Sequence, residues 1–562
     1  MIRRWSAAVL LTVLILPAAA GYAQSAGTTD AAASCLGCHG SLHGQRQLRV
    51  VPERYRESVH GALSCLDCHN SARIARIDAV HRDGAARAAG EEWAVVAIPA
   101  EKSAFPDTLS ACRRCHPAAF DGVANGVHGR ALLRDGNADA PFCVDCHGDV
   151  HALRPASVLG SAVARENVVK TCGRCHADRV IASRYNLNVS VVQSYQEHFH
   201  GKKYALGGKA TPTCADCHGH HGIAAVEGPQ GLATLAVKEA LCARCHAGAS
   251  PEFAAAFTHT LLDTASNPIA ARVRAVLVVL AALTILLLSL HIVLDVRAQV
   301  RAHHRPQRPP QVRAGIPWEV FRRLPSQVER MDLHARIQHG LLLVAVLYLG
   351  ASGLALKFPD HRLARGWIGL WGGVENAGHL HRFAALLLIL VVAYHLLYVV
   401  IQRVRGRLAF HMVPRREDLT LFVANLRYLS GQTDHRPRFG KFTYYQKLDY
   451  WLVTLVVLAM IVTGLLYWFP TAAARLLPSS VAQWIWGVAY VVHSTEAVFV
   501  LFVAFVWHFY NVHLRSRVFP MSWVWLTGKI DLEELLDEHP AAFDALVEAQ
   551  EREQSREPEE GE

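Results

Sequence analysis

The sequence predicts two parts in series: an exported region of short helices and long loops, then an all-α bundle of five transmembrane helices. Three observations predict it. Apolar residues make up 52% of the 562 residues and charged ones 19%, against roughly 45–50% and 25% in soluble domains. Five long apolar runs follow residue 270, and all fourteen cysteines precede it, every one of them in a Cys-x-x-Cys-His string. A cytosolic soluble enzyme is thereby excluded, and so is a disulfide scaffold, because no cysteine is left over.

Residues 1–23 begin the chain with Arg3 and Arg4, an apolar run over 7–16, Pro17 and a small-residue stretch over 18–23. That order is a secretory signal peptide, too short for a span, and it sends residues 24–270 to the periplasm.

The seven strings are Cys35/Cys38/His39, Cys65/Cys68/His69, Cys112/Cys115/His116, Cys143/Cys146/His147, Cys172/Cys175/His176, Cys214/Cys217/His218 and Cys242/Cys245/His246. Two thiols three apart reach both vinyl carbons of one porphyrin, and the next imidazole is aimed at the iron. The strings therefore predict seven covalent haems c, and a haem-rich region whose porphyrins supply much of its core.

A unit of His-Gly, Cys-x-Asp-Cys-His and Cys-x-Arg-Cys-His occurs three times, led by His60, His128 and His200, with the Cys35 string ahead of them. Ten histidines here lie outside the strings. The repeat places His60, His128, His200 and His259 in one equivalent set of second axial ligands, and His43, His81, His151 and His220 or His221 in another. Iron held by two histidines is closed to substrate, so the region reads as an electron wire.

The five apolar runs cover 273–296, 337–356, 380–402, 448–469 and 481–513, each near or above the ~20 residues that cross hydrocarbon. Arginine and lysine crowd the two loops at 297–330 and 403–441, whereas the opposite loops carry only Lys357, Arg362, Arg365 and Arg475. This asymmetry puts the crowded loops and the C-terminus in the cytoplasm of a bacterial inner-membrane protein. It also accounts for the net charge of +10, which removes nucleic acid as a partner.

Histidine within a span is costly and functional. Span three carries His381 and His395, fourteen apart, and span five carries His493 and His508, fifteen apart. Four helical turns take about 14.4 residues, so each pair faces one side about 21 Å apart. The spans run in the same direction, which levels His381 with His493 and His395 with His508 and predicts two stacked sites for haem b. His339, at the start of span two, competes with His395 as inner partner of His508, and the matched spacings favour His395.

The stretch Arg336-Ile-Gln-His339 running to Ser352-Gly353, then His381-Arg382, His493-Ser-Thr-Glu496 and Trp507-His508-Phe-Tyr-Asn-Val-His513 resembles the di-haem cytochrome b subunits of formate dehydrogenases, thiosulfate reductases and nickel-iron hydrogenases. The resemblance covers about residues 331–540 and implies ligand pairs His339 with His508 and His381 with His493. Fusion to an exported multihaem region resembles the quinol-oxidising inner-membrane cytochromes of metal-respiring bacteria.

The sequence thus reads as a quinol:cytochrome c-type oxidoreductase of anaerobic respiration. Electrons leave quinol, expected to be menaquinol, through two haems b and seven haems c for a periplasmic acceptor such as a soluble cytochrome c. Glu496 and Asp449 are the expected proton acceptors. The alternatives are reverse flow into the quinone pool and a terminal reductase of a small nitrogen or sulfur oxyanion. Residues 515–562 are expected to form a cytoplasmic acidic tail, with a short helix in front and a solvated end.

Overall fold

The computed structural model describes residues 35–37, 39–40, 50–69, 106–228, 231–261, 263, 265–304, 322–406, 411–516 and 518–554. The signal peptide, Cys38, His43, His81 and residues 555–562 lie outside them. Contacts divide the chain into two compact units, one of residues 1–174 with 218–224, the other of 175–217 with 225–562. The division falls inside the cysteine-rich region and not at residue 270. It cuts two strings: Cys172 belongs to the first unit and Cys175 to the second, whereas Cys214 and Cys217 belong to the second and His218 to the first.

The strings sit on short helices, among them Cys65–Cys68, Pro106–Cys115, Cys143–His147, Val168–His176 and Cys214–His218. Side chains inside the strings explain the repeat. In each Cys-x-Asp-Cys-His string the aspartate turns back to accept the backbone N–H of the residue just before the first cysteine. Ser64 donates to Asp67 at 2.7 Å, Phe142 to Asp145 at 2.8 Å and Thr213 to Asp216 at 2.6 Å. In the first unit the arginine of the following Cys-x-Arg-Cys-His string donates to that aspartate's carbonyl, Arg114 to Asp67 and Arg174 to Asp145. One residue type closes the turn and the other staples consecutive strings.

The second unit contains the five apolar helices, the number found among the described residues. They are α1 (Pro268–His303), α2 (Leu333–Lys357), α3 (Val374–Val404), α4 (Tyr444–Trp468) and α5 (Ser479–Phe502). α5 continues through π-helical turns over Val503–His508 and Tyr510–Leu514. Asn267, Asp332 and Thr443 accept the first free N–H groups of α1, α2 and α4, which fixes where those helices start. Their outward apolar side chains stay exposed, while alanine, serine, threonine and valine pack inward beside a few large side chains. One cluster joins α1, α4 and α5 through Leu288, Val456, Phe499, Val503 and Trp507. A second joins α2, α3 and α4 through Ala345, Leu388 and Val457.

The C-terminal segment corrects the expectation of an acidic, solvated tail. Strand β1 (Gln327–Glu329) pairs antiparallel with β2 (Lys529–Asp531), Val328 opposite Ile530. After β2 come α6 (Leu532–Glu538) and α7 (Pro540–Gln554). Leu324, Ile530, Leu535, Phe543 and Val547 form a buried core of their own. Arg436 and Arg515 both grip Glu538, at 2.6 and 3.1 Å. Burial works against ionisation of Glu538, but Arg515 and then Arg436 outweigh it and hold its pKa at about 2. The acidic composition hid a folded cap.

Candidate haem and quinol sites

Four histidine pairs recur in the cysteine-rich region with nearly one spacing. Ring centroids lie 6.2 Å apart for His60 and His116, His69 and His151, and His147 and His221, and 6.1 Å apart for His200 and His246. A metal about 2 Å from each of two facing nitrogens, with about 1.1 Å from nitrogen to ring centre, gives roughly 6 Å. In every pair one ring belongs to a string and the other to the predicted distal set, so the residues fit haem c.

The strings are not the seven equal copies that their spacing suggests. The described cysteines all lie outside disulfides, yet their second thiols differ: Cys68, Cys115, Cys217 and Cys245 are exposed, whereas Cys146 and Cys175 are half-buried. Packing explains the difference. The Cys146 string rests, through Cys143, on buried Leu132, Ala140 and Phe142. Cys175 lies in the last turn of a helix anchored by buried Val169 and by Thr171 Oγ1, which donates to Ala162 O at 2.6 Å. His39, His176 and His218 complete the set of string histidines. His39 is half-buried, and its carbonyl accepts the N–H of Val50 at 3.1 Å, which folds the chain back beside the string. His218 is the last residue of its helix, and Gly219 follows at φ +77°, where only glycine turns the chain away freely. Proximal roles for these three rest on the strings themselves.

The His-Gly dipeptide has a steric origin. A side chain at Gly61, Gly129 or Gly201 would run into the carbonyl of the residue six before it, Tyr55, Val123 or Tyr195. Only glycine lets the chain fold back there and present the preceding histidine. In the first and third repeats the tyrosine also ties this turn to the next string, Tyr55 Oη donating to Leu63 O at 2.6 Å and Tyr195 Oη to Pro212 O at 2.8 Å. His198 adds a role the sequence did not reveal. Its Nδ1 accepts the N–H of His200 and caps the helix Phe199–Ala205 that carries His200. Burial, followed by His246 and Lys203, lowers His200 to about pKa 4, so its ring is neutral and its nitrogen can ligate.

His381 on α3 and His493 on α5 are held alike. Ser352 Oγ lies 2.7 Å from His381 Nδ1, and Thr463 Oγ1 lies 2.9 Å from His493 Nδ1. Each hydroxyl already gives its single proton to a carbonyl one turn back, Tyr348 O or Ala459 O, both at 2.7 Å. It can therefore only accept from the imidazole, so Nδ1 carries the hydrogen and Nε2 keeps the lone pair. The neighbouring Gly353 and Gly464 leave room at the rings: a Cβ there would start 4.0 Å from His381 Cε1 and 3.4 Å from His493 Cε1. A cradle of two fixed imidazoles with open nitrogens fits haem b.

At the other end of the bundle the structure differs from the matched-spacing expectation. His339, not His395, faces His508, with ring centroids 6.3 Å apart. Both nitrogens of His395 are engaged elsewhere, Nδ1 with Gln338 Oε1 at 2.9 Å and Nε2 with Tyr450 Oη at 2.8 Å. The reason is the start of α2. Asp332 caps it at Leu333, so His339 lies six residues inside the helix, as deep as His508 before Leu514, whereas His395 lies nine before Val404. The π turns of α5 also matter. Fifteen α-helical residues overshoot four turns, and wider i→i+5 turns absorb the excess.

Asp449 accepts from His508 Nδ1 at 3.1 Å through Oδ2, and its Oδ1 is buried without a partner among the described residues. It lines a cavity of about 2920 Å³, whereas Glu496 is not on that wall. The cavity runs within the second unit past His200 and His246, then His381 and His493, then His339 and His508. Lys202, two residues after His200, donates to Tyr490, three before His493. Lys357 donates to Ser494 O at 3.1 Å, and Arg475 to Gly248 O at 2.8 Å. The first of these bonds ties the helix of His200 to α5, the second joins α2 to α5, and the third holds the chain just after the last string to the segment before α5.

Residues 330–519 match the family described as prokaryotic cytochrome b561. The chain is 25% identical over 187 residues to the cytochrome b556 subunit of formate dehydrogenase from Haemophilus influenzae, covering 33% of this chain and 70% of that subunit. It is 19% identical over 233 residues to the cytochrome b556(Fdn) subunit of the nitrate-inducible formate dehydrogenase from Escherichia coli K12, covering 41% of this chain and 97% of that subunit. With the five apolar helices and the paired histidines, these likenesses support a di-haem cytochrome b membrane part that transfers electrons.

Proposed function

We propose that the chain is an inner-membrane quinol oxidoreductase that passes electrons from quinol, through two haems b, to seven covalent haems c and a periplasmic acceptor such as a soluble cytochrome c. One observation carries this reading: a single cavity is lined in series by His339/His508, His381/His493 and His200/His246.

Haem, when bound, supplies an iron that takes one electron at a time. The chain's residues do the rest. His381 and His493 present Nε2 because Ser352 and Thr463 hold their other nitrogens. His339 and His508 form the second pair, next to Asp449, which lines the cavity where a lipid-soluble donor can enter and offers Oδ1 to a quinol hydroxyl. Lys202 and Tyr490 fix the helix of His200, whose ring faces His246 of the last string, to α5. The strings assign His39, His176 and His218 as proximal ligands beside the four paired ones. Three distal positions remain, and the four candidates for them are His128 and His259, by their place in the repeat, with His43 and His81.

Menaquinol added to the purified chain tests the reading. Haem b and then haem c should be reduced, and a protein reduced only by a periplasmic donor would reverse the direction. Acid-acetone should extract two haems per chain and leave seven bound.

A further inference from the structure

We propose that His395, freed from ligation, is the proton acceptor of the quinol site and takes the proton through Tyr450. This rests on the quinol reading above.

The argument is one of unfilled hydrogen-bonding capacity. Gln338 is 7% exposed, and its Oε1 accepts from His395 Nδ1 at 2.9 Å. A glutamine carbonyl can only accept, so Nδ1 carries the hydrogen and Nε2 is the basic nitrogen. Tyr450 Oη, 2.8 Å away, donates to that nitrogen. The phenol oxygen is then left to accept one more hydrogen. Gln338 Nε2 has no partner among the described residues although it is buried. An unmet buried donor costs about 1–3 kcal/mol, a penalty that disappears when a ligand oxygen accepts from it. Gln338, His395 and Tyr450 line the same cavity as His339 and His508. Gln338 adjoins His339 in sequence, which puts this wall beside the inner pair. A donor amide and an accepting phenol backed by imidazole match the oxygen of a quinol or quinone.

The step balances as follows. The quinol O–H bond breaks and its proton goes to Tyr450 Oη as the Tyr450 proton passes to His395 Nε2. A haem held by His339 and His508 would be the one-electron acceptor for the electron released with that proton. His395 then carries both ring hydrogens, with Gln338 Oε1 supporting the charge. A second proton and electron follow once His395 has given up the first proton and the first electron has passed on toward His381 and His493, leaving quinone. The way out is marked on the same two helices. Tyr398 donates to Asp332 at 2.6 Å, and both line the cavity. His334 bonds Tyr394 at 2.7 Å on the exposed surface.

The test uses the full chain with its haems, comparing wild type with His395→Phe, Tyr450→Phe and Gln338→Leu. Haem b content, reduction by dithionite, reduction by menaquinol and the Kd of a soluble menaquinone analogue are measured. The proposal expects two haems b and normal dithionite reduction throughout. It expects menaquinol-driven reduction to fall about 10²-fold in the first two variants, and weaker analogue binding in Gln338→Leu. Tyr450→Phe removes one oxygen and guards against misfolding. Loss of a haem b from His395→Phe, or wild-type menaquinol rates in Tyr450→Phe, overturns the proposal. A wild-type chain that menaquinol cannot reduce overturns the quinol reading itself, a result visible before any variant is compared.

Discussion

His339 and His508 face each other with ring centroids 6.3 Å apart, from helices that begin and end at the same level. That relationship separates two histidines that spacing alone had made interchangeable. His339→Ala should lose one haem b, whereas His395→Ala should keep both. Pyridine haemochrome counts on the two purified variants decide it, and the opposite result would restore His395 as the ligand.

Ser352 and Thr463 orient the other pair without touching iron. Ser352→Ala or Thr463→Ala removes the acceptor of an imidazole N–H and makes that ligand less basic. Haem affinity should fall about 10–100-fold, and the midpoint potential of the outer haem b should rise. A redox titration of the α-band reads this; an unmoved potential would leave these hydroxyls with packing alone.

In the cysteine-rich region, His60, His151, His200 and His221 each face a string histidine. Replacing any one by alanine should leave one iron five-coordinate and high-spin and raise one potential. His128→Ala tests whether the second repeat follows the first and third. An electron paramagnetic resonance spectrum without a new high-spin signal would remove that residue from the distal set.

Glu538 is 6% exposed and pinned by Arg436 and Arg515. Its folded pKa of about 2 lies below the usual 4.5, so its stabilisation is present above pH 4.5 and is lost as pH falls toward 2. Glu538→Gln leaves Arg436 without its carboxylate and Arg515 with Asp295 alone, and should destabilise the cap by about 3 kcal/mol at about pH 7. Thermal unfolding near neutral pH and at about pH 3 checks both statements: the difference between variant and wild type should shrink at the lower pH.

Much of this was legible in the sequence because it rests on local chemistry. Apolar run length located all five helices, with ends short by up to seven residues where polar turns extend them, and the repeat named the histidines that now face His116, His69, His147 and His246. The inner pair was not legible. Residues 333–336 are Leu-His-Ala-Arg, too polar to extend an apolar run, yet the Asp332 cap starts α2 there and sinks His339 to the depth of His508. The unequal burial of Cys146 and Cys175 was hidden too, since it comes from what packs behind each string and not from the string. The cap at the C-terminus was hidden for a related reason. Leu535, Phe543 and Val547 are spaced for a helical face, but the acidic residues between them dominate the average. The hydroxyls of Ser352 and Thr463 leave no pattern in one sequence, since their role exists only across two helices.

The fifteen residues between His493 and His508 also set an energetic condition on turnover. They hold the two pairs about 20 Å apart along α5, roughly two thirds of the ~30 Å hydrocarbon core. In the proposed orientation, an electron moving from the inner pair to the outer one crosses that share of the transmembrane voltage. At about 2.3 kcal/mol per charge per 100 mV, a potential of about 100 mV, negative inside, assists each electron by roughly 1.5 kcal/mol. Outward transfer therefore dissipates membrane potential, and inward transfer into quinone builds it. In sealed vesicles an uncoupler should slow quinol oxidation by this chain and speed the reverse reaction.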